Sequence, residues 1–159
     1  MECVFDGKNS GRSIWCYFCE EKILDIGMGT GHMLFKLYRS QKLTDYFFYG
    51  VDIDPRMVQF CVKKCTELKY QHAFNIIEAS VSNLPFPDNS FSMIYVRSVI
   101  HHWAEPKKGL QELCCVLDRG GRIIIHDPLA DSEETALVFL TNHVVNAVWQ
   151  LCPQKKNLH

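Results

Sequence analysis

The tightest constraint on this chain is a junction. Lys22–Ile26 (KILDI) is a short apolar run that ends in the glycine series Gly27-Met28-Gly29-Thr30-Gly31. Beyond it, Met33, Leu34, Leu37 and Tyr38 fall at i, i+1, i+4 and i+5. A run that short, bounded by glycine, reads as a strand. The stripe after it gives one apolar face to a helix over Thr30–Leu43. A strand that enters a helix through a glycine turn is the first half of a βαβ unit, which requires a parallel neighbour.

The same rhythm continues. Phe47–Ile53 (FFYGVDI) reads as a second strand, and Asp54-Pro55 opens a helix to about Leu68, with an acid at the N-cap and proline at the first helical position. Phe74–Ala79 is a third strand. Pro85 and Pro87 keep the following stretch extended, and Asp88-Asn89-Ser90 turns it into a fourth strand, Phe91–Val96. Pro106 starts a helix to Leu117, Gly120-Gly121 ends that segment, and Arg122–Asp127 is a fifth strand. Ser132, followed by Glu133-Glu134, caps an expected last helix to Leu151. The expected fold is α/β: a doubly wound parallel sheet with helices on both faces, its strands apolar because both faces are buried.

Length and charge narrow the function classes. The 159 residues allow one domain, divided here into an irregular cover segment over 1–21 and a folded domain over 22–159. Basic and acidic residues number 17 and 18, a formal net charge of −1, so no bulk field favours nucleic acid or an acidic membrane. No apolar run approaches the ~20 residues that span a bilayer. The first 21 residues lack the continuous apolar stretch of an export signal, so a cytoplasmic location with reduced thiols is the expectation.

The glycine spacing separates possible ligands. A dinucleotide-binding turn reads G-x-G-x-x-G, which counted from Gly27 requires glycine at position 32; that residue is His32, and the third glycine is Gly31. The motif is D-x-G-x-G-x-G, with Asp25 two residues ahead of the first glycine. Asp52 closes the second strand, where a carboxylate can accept both hydroxyls of a ribose.

With these residues in place, the chain resembles the class I S-adenosylmethionine-dependent methyltransferases, in particular the small-molecule branch called type 11. The stretches that carry the resemblance are ILDIGMGTG at 23–31, YGVDIDPRM at 49–57, LPFPDNSF at 84–91, IHHW at 100–103 and LQELCCVLDRGGRIIIHD at 110–127. The resemblance implies a Rossmann-like fold and S-adenosylmethionine as cofactor. It implies that Asp25, Gly27, Met28, Gly29 and Gly31 surround the methionine part, that Asp52 holds the ribose, and that Ile53 packs on the adenine. It further implies that Ser80 and Val81 meet the adenine edge, and that Arg97 lies near the methionine and the acceptor. Ser80 stands where this branch usually carries an acid. Ser92 and Asp118-Arg119 also depart from its usual residues.

The family's sheet ends in an antiparallel strand pair, for which this reading leaves no room. The sheet is therefore expected to be shortened to five parallel strands. A bare fifth-strand edge would need a cover, either the last helix or a second copy of the chain in a homodimer. No catalytic residue is assigned. His101 and His102 are candidates to take a proton from a protic acceptor, or else one or both cap the loop before Trp103 or line the pocket. His126 reads as a satisfied core residue. Cys16-x-x-Cys19 is half of a zinc motif without an obvious second half, and Cys61 and Cys65 lie one helical turn apart as core packing. The cysteines therefore read as structural or free thiols and no metal is expected. Three readings of function remain: methyl transfer to a small-molecule acceptor, a non-catalytic S-adenosylmethionine-binding module or partner subunit, and a nucleotide-dependent oxidoreductase, which the glycine spacing disfavours.

Overall fold

The computed structural model describes residues 21–40, 46–128 and 135–140. The chain order is β1 (Glu21–Ile26), α1 (His32–Arg39), β2 (Tyr46–Asp52), α2 (Pro55–Glu67), β3 (Phe74–Glu78), β4 (Phe91–Arg97), a single 3-10 turn at Ile100–His102, α3 (Pro106–Val116), β5 (Leu117–Pro128) and β6 (Thr135–Leu140). The strands form one sheet in the order β3-β2-β1-β4-β5-β6. The first five are mutually parallel and β6 runs antiparallel to β5. The doubly wound parallel sheet is thus observed, and its strand order reverses between β1 and β4.

Side-chain alternation along the strands divides the core in two. Ile23 and Phe48 pack with Leu34 and Phe35 of α1 and Cys61 and Cys65 of α2 on one face. Leu24, Ile26, Val51, Ile94 and Val96 pack with Leu113, Cys114 and Val116 of α3 on the other. Helices therefore cover both faces.

The boundaries differ from expectation where a local preference meets a stronger demand. Helix α1 begins at His32 and not at Thr30, because Gly31 takes φ +67°, which a right-handed helix excludes. It stops at Arg39, where the Ser40 hydroxyl donates to the Leu37 carbonyl at 2.7 Å and competes with helical pairing. Helix α2 starts as read: the Asp54 side chain accepts from the Arg56 N–H at 2.9 Å, with Pro55 next to it. Strand β5 starts at Leu117, not Arg122, because Leu117 is fully buried and pairs with Phe91 directly beyond the helix. Gly121 makes this possible, since a Cβ there would lie 2.7 Å from the Leu117 side chain. The expected cover over 1–21 lies outside the described residues except for Glu21, which opens β1.

The largest correction concerns the C-terminal part. Thr135–Leu140, expected within a helix over Ser132–Leu151, is strand β6, in register from Ile123↔Leu140 to Pro128↔Thr135. The segment TALVFL is rich in residues suited to a pleated surface, and the open edge of β5 offers a row of unpaired backbone groups. That edge outweighs the capping signal of Ser132. One antiparallel strand is therefore present where none was expected. The premise of a homodimer through a bare β5 edge is removed, because this chain covers the edge itself. The rest of the expected helix lies outside the described residues.

Among the described residues no helix is long and apolar enough to cross a membrane. Cys61, Cys65 and Cys114 are buried free thiols, as read. Cys115 is disulfide-bonded, in contrast to the free thiol expected. Neighbouring residues on a helix diverge by about 100°, so Cys114 and Cys115 meet different surroundings. Cys16 and Cys19 lie outside the described residues.

Candidate functional site

Where the strand order reverses, the sheet opens into a cleft of about 280 Å³. One wall is backbone. Gly27 takes φ +65°, and its N–H donates to the Val51 carbonyl at 2.8 Å, so the chain leaving β1 is tied across to β2. An alanine there would be strained, and its Cβ would lie 2.5 Å from Val99 Cγ2. The Gly29 N–H then donates to Asp52 Oδ2 at 2.8 Å, and the Asp54 N–H donates to Asp52 Oδ1 at 2.9 Å. Both oxygens of Asp52 are thus anchored by one bond each. A carboxylate has about four acceptor sites, so lone pairs remain for a ligand in the cleft that Asp52 lines. The Cys61 thiol donates to the Gly29 carbonyl at 3.3 Å and steadies the turn from below. Burial, together with Cys65, pushes that thiol up to about 11, so it stays protonated and inert.

Of the residues read from the sequence, Gly27, Asp52, Ile53, Ser80 and Val81 line the cleft. Ile53 is 72% exposed, a large apolar surface at the rim with no cover among the described residues. The Ser80 hydroxyl accepts from the Ser82 N–H at 3.2 Å, in a turn that presents Ser80 and Val81 to the ligand space. Met28, Gly29, Gly31, Asp25 and Arg97 are not in the lining. Met28 is buried over Gly50, where a Cβ would meet its sulfur, and it contributes to the turn through its backbone N–H on Val51. Gly31 is the left-handed residue that starts α1 and leaves room for Phe35.

Asp25 is 4% exposed, and burial pushes its carboxyl up to about 7. The positive charge of Arg97 opposes that rise and the negative charge of Asp52 adds to it. Arg97 is exposed at the end of β4. Asp25, Arg97 and Asp52 are therefore electrostatically linked across the glycine turn, although only Asp52 faces the cleft.

Of the opposite wall, only His102 was read from the sequence as a candidate. That wall consists of Val99, His102, Trp103, Ala104 and Glu105, in and after the 3-10 turn. Ser98 leads into it with φ +51°, uncommon for a residue with a side chain, and its N–H donates to the His126 carbonyl at 2.8 Å. Of the two candidate proton acceptors, His102 lines the cleft and His101 does not, their rings 4.0 Å apart. His126 is not the satisfied core residue expected: its Nδ1 is buried without a hydrogen-bond partner among the described residues. In the strand register it stands beside Arg97 of β4 and Leu137 of β6. The only sequence signal for this second wall was the IHHW motif, which gave a location but no packing. Among the described residues, no group of three or more potential metal ligands is present.

Residues 24–125 match the model of a methyltransferase domain family. The chain is 31% identical over 148 residues to an uncharacterized methyltransferase, YcgJ, of Bacillus subtilis, covering 90% of this chain and 55% of that protein. The crystal structure of YcgJ aligns with a TM-score of 0.61 at 30% identity, over 68% of this chain and 44% of that one. The ubiquinone/menaquinone biosynthesis C-methyltransferase UbiE of Geotalea daltonii is 29% identical over 104 residues, 65% of this chain and 44% of that protein. A SAM-dependent methyltransferase from Aquifex aeolicus aligns with a TM-score of 0.62 at 21% identity, over 86% of this chain and 74% of that one, a likeness of fold. The chain spans about half the length of the curated relatives YcgJ and UbiE.

Proposed function

We propose, from the premise that this chain belongs to the methyltransferase domain family, that it binds S-adenosylmethionine in the cleft beside Gly27 and supports methyl transfer to a small-molecule acceptor. The observation that carries the reading is the state of Asp52. Its two oxygens are fixed by the Gly29 and Asp54 N–H groups, and the carboxylate lines the cleft with acceptor capacity left over, enough for the two hydroxyls of a vicinal diol. The residues present fit such a ligand in two further ways. Nothing lies within 4 Å of the position a Cβ would take at Gly29, so the turn leaves open space. The bare face of Ile53 and the Ser80–Val81 turn supply apolar and polar contacts for a flat base.

When bound, the cofactor supplies a methyl group already activated by a positive sulfur. The chain's own part is binding, alignment and exclusion of water. Gly27 and Gly29 set the turn, Asp52 holds the ribose, and Ile53 and Val81 grip the base. Met28 and Gly31 act by shaping the turn from the core. Asp25 and Arg97 set the electrostatic environment behind it. His102 borders the cleft and accepts a proton where the acceptor is protic. A small-molecule acceptor is supported by the absence of a basic excess, 17 against 18 charges, and by the name of a relative that acts in quinone biosynthesis.

The test is calorimetric titration with S-adenosylmethionine and its demethylated product S-adenosylhomocysteine. Asp52→Ala should weaken both by about 100-fold or more, because the charge-assisted bonds it makes are worth about 1.5–3 kcal/mol each. Unaltered affinity in that variant, or no uptake by the parent chain, would refute the reading. Uptake without turnover over a broad acceptor panel would favour the non-catalytic module.

A further inference from the structure

The second wall of the cleft rests on a residue the proposed function does not use. Gly109 is buried in the first half of α3, and its N–H donates to the Glu105 carbonyl at 3.0 Å as in any helix. Its φ is not positive, so no left-handed backbone demands glycine there. Helical propensity argues against it, since glycine costs a helix interior about 1 kcal/mol relative to alanine. What glycine provides at this position is room. A Cβ would lie 2.8 Å from Trp103 Cε3, 2.9 Å from Cζ3 and 3.2 Å from Val81 Cγ1. Trp103 and Val81 are both cleft-lining residues, one from each side of the proposed base-binding end. They meet over the same bare Cα.

We infer that Gly109 is a positioning residue for ligand binding: its missing side chain is the seat that holds the Trp103 ring and Val81 back from the cleft. The inference rests on the reading of this cleft as the adenosyl site. A methyl group at 109 has a rigid helix backbone behind it, so the indole and the valine must move. Close-packed surroundings leave little room for them except toward the cleft. The added atom therefore acts on the ligand through Trp103, with no contact of its own.

The experiment compares the full chain with Gly109→Ala, Trp103→Leu and the double variant, each titrated with S-adenosylhomocysteine. Gly109→Ala should bind about tenfold more weakly. Trp103→Leu removes the ring atoms in question. On that background the second change should alter affinity by no more than about twofold. A parallel measurement needs no ligand: with Trp15 and Trp149 replaced by phenylalanine, Trp103 alone fluoresces, and Gly109→Ala should raise its quenching by acrylamide. Equal affinity in Gly109→Ala, a further tenfold loss on the Trp103→Leu background, or unchanged quenching would each overturn the inference. Should Gly109→Ala fail to fold, recovery of a folded chain in the double variant supports it, and failure of both overturns it. If the parent chain takes up no S-adenosylhomocysteine, the adenosyl reading fails, and quenching alone decides whether Gly109 seats the ring.

Discussion

The two walls of the cleft are built by different physics. The wall from Gly27 to Asp54 is held by backbone: two N–H groups fixed on one carboxylate, a third on the Val51 carbonyl, and glycines that take positive φ. The wall from Val99 to Glu105 is held by side-chain packing, with Trp103 seated on Gly109 and Val99 pressed against Gly27. A backbone-built wall tolerates almost no added atom, but it keeps its shape whatever occupies the cleft. A packed wall moves with the volume behind it. Changes to the backbone turn of the first wall should therefore appear first as lost stability, and changes to the packing of the second as lost affinity.

The largest expected effect lies behind the first wall, at Asp25. Its carboxyl is raised from 3.8 to about 7 in the folded chain. Below about pH 4 it is protonated whether the chain is folded or not. Between about 4 and 7 the folded state keeps a proton that the unfolded state has released, so stability falls as pH rises through this window. The loss approaches about 1.4 kcal/mol per pH unit at its steepest and about 4 kcal/mol in all. Asp25→Asn should remove that slope, leaving the variant more stable than the parent at pH 8 and similar at pH 4. Urea melts across the range measure it. A parallel slope in both proteins would locate the pH dependence elsewhere.

Gly27→Ala comes next. It combines a left-handed φ with a Cβ 2.5 Å from Val99, so strain and overpacking add. The expected loss is about 3 kcal/mol. Because Val99 belongs to the opposite wall, Val99→Ala should return part of that loss by opening the space. If Val99→Ala returns nothing, strain alone sets the cost, and the two walls are less coupled than the distance implies.

The same contrast explains what was legible in the sequence. Residues of the first wall announce themselves because a demand on φ or on a carboxylate at a strand end admits few residue types: the glycines at 27, 29 and 31 take the positive φ such a turn requires, and Asp52 stands at the end of β2. The second wall is a matter of which surfaces meet. Gly109 in sequence is only a weak point in a helix, and nothing in the spacing of Trp103 and Gly109 says that one is the seat of the other. β6 was misread for a related reason. Ser132 and Glu133-Glu134 are local helix signals, whereas the edge of β5 that recruits Thr135–Leu140 is a tertiary feature with no local trace. Met28 and Gly31 were read as surrounding the methionine part; the structure packs the Met28 side chain over Gly50 and makes Gly31 the left-handed residue that opens α1, a placement that the spacing alone does not give.

The smallest effect on the fold, and the sharpest separation of fold from binding, is expected at Ile53. The residue sits between the anchored Asp52 and the helix cap Asp54, yet its side chain is 72% exposed. A side chain so exposed contributes little to folding, and Ile53→Ala should shift stability by less than about 0.5 kcal/mol. If a flat base packs on it, that exposed surface becomes buried only in the complex. The three lost methyl(ene) groups then cost about 1–2 kcal/mol of affinity, or about tenfold, at ~0.8 kcal/mol per fully buried group. Calorimetry with S-adenosylhomocysteine beside a thermal melt measures both quantities on one sample. A melt that drops while affinity holds would place Ile53 in the scaffold, and the rim of the cleft would then have to be sought on the Trp103 side alone.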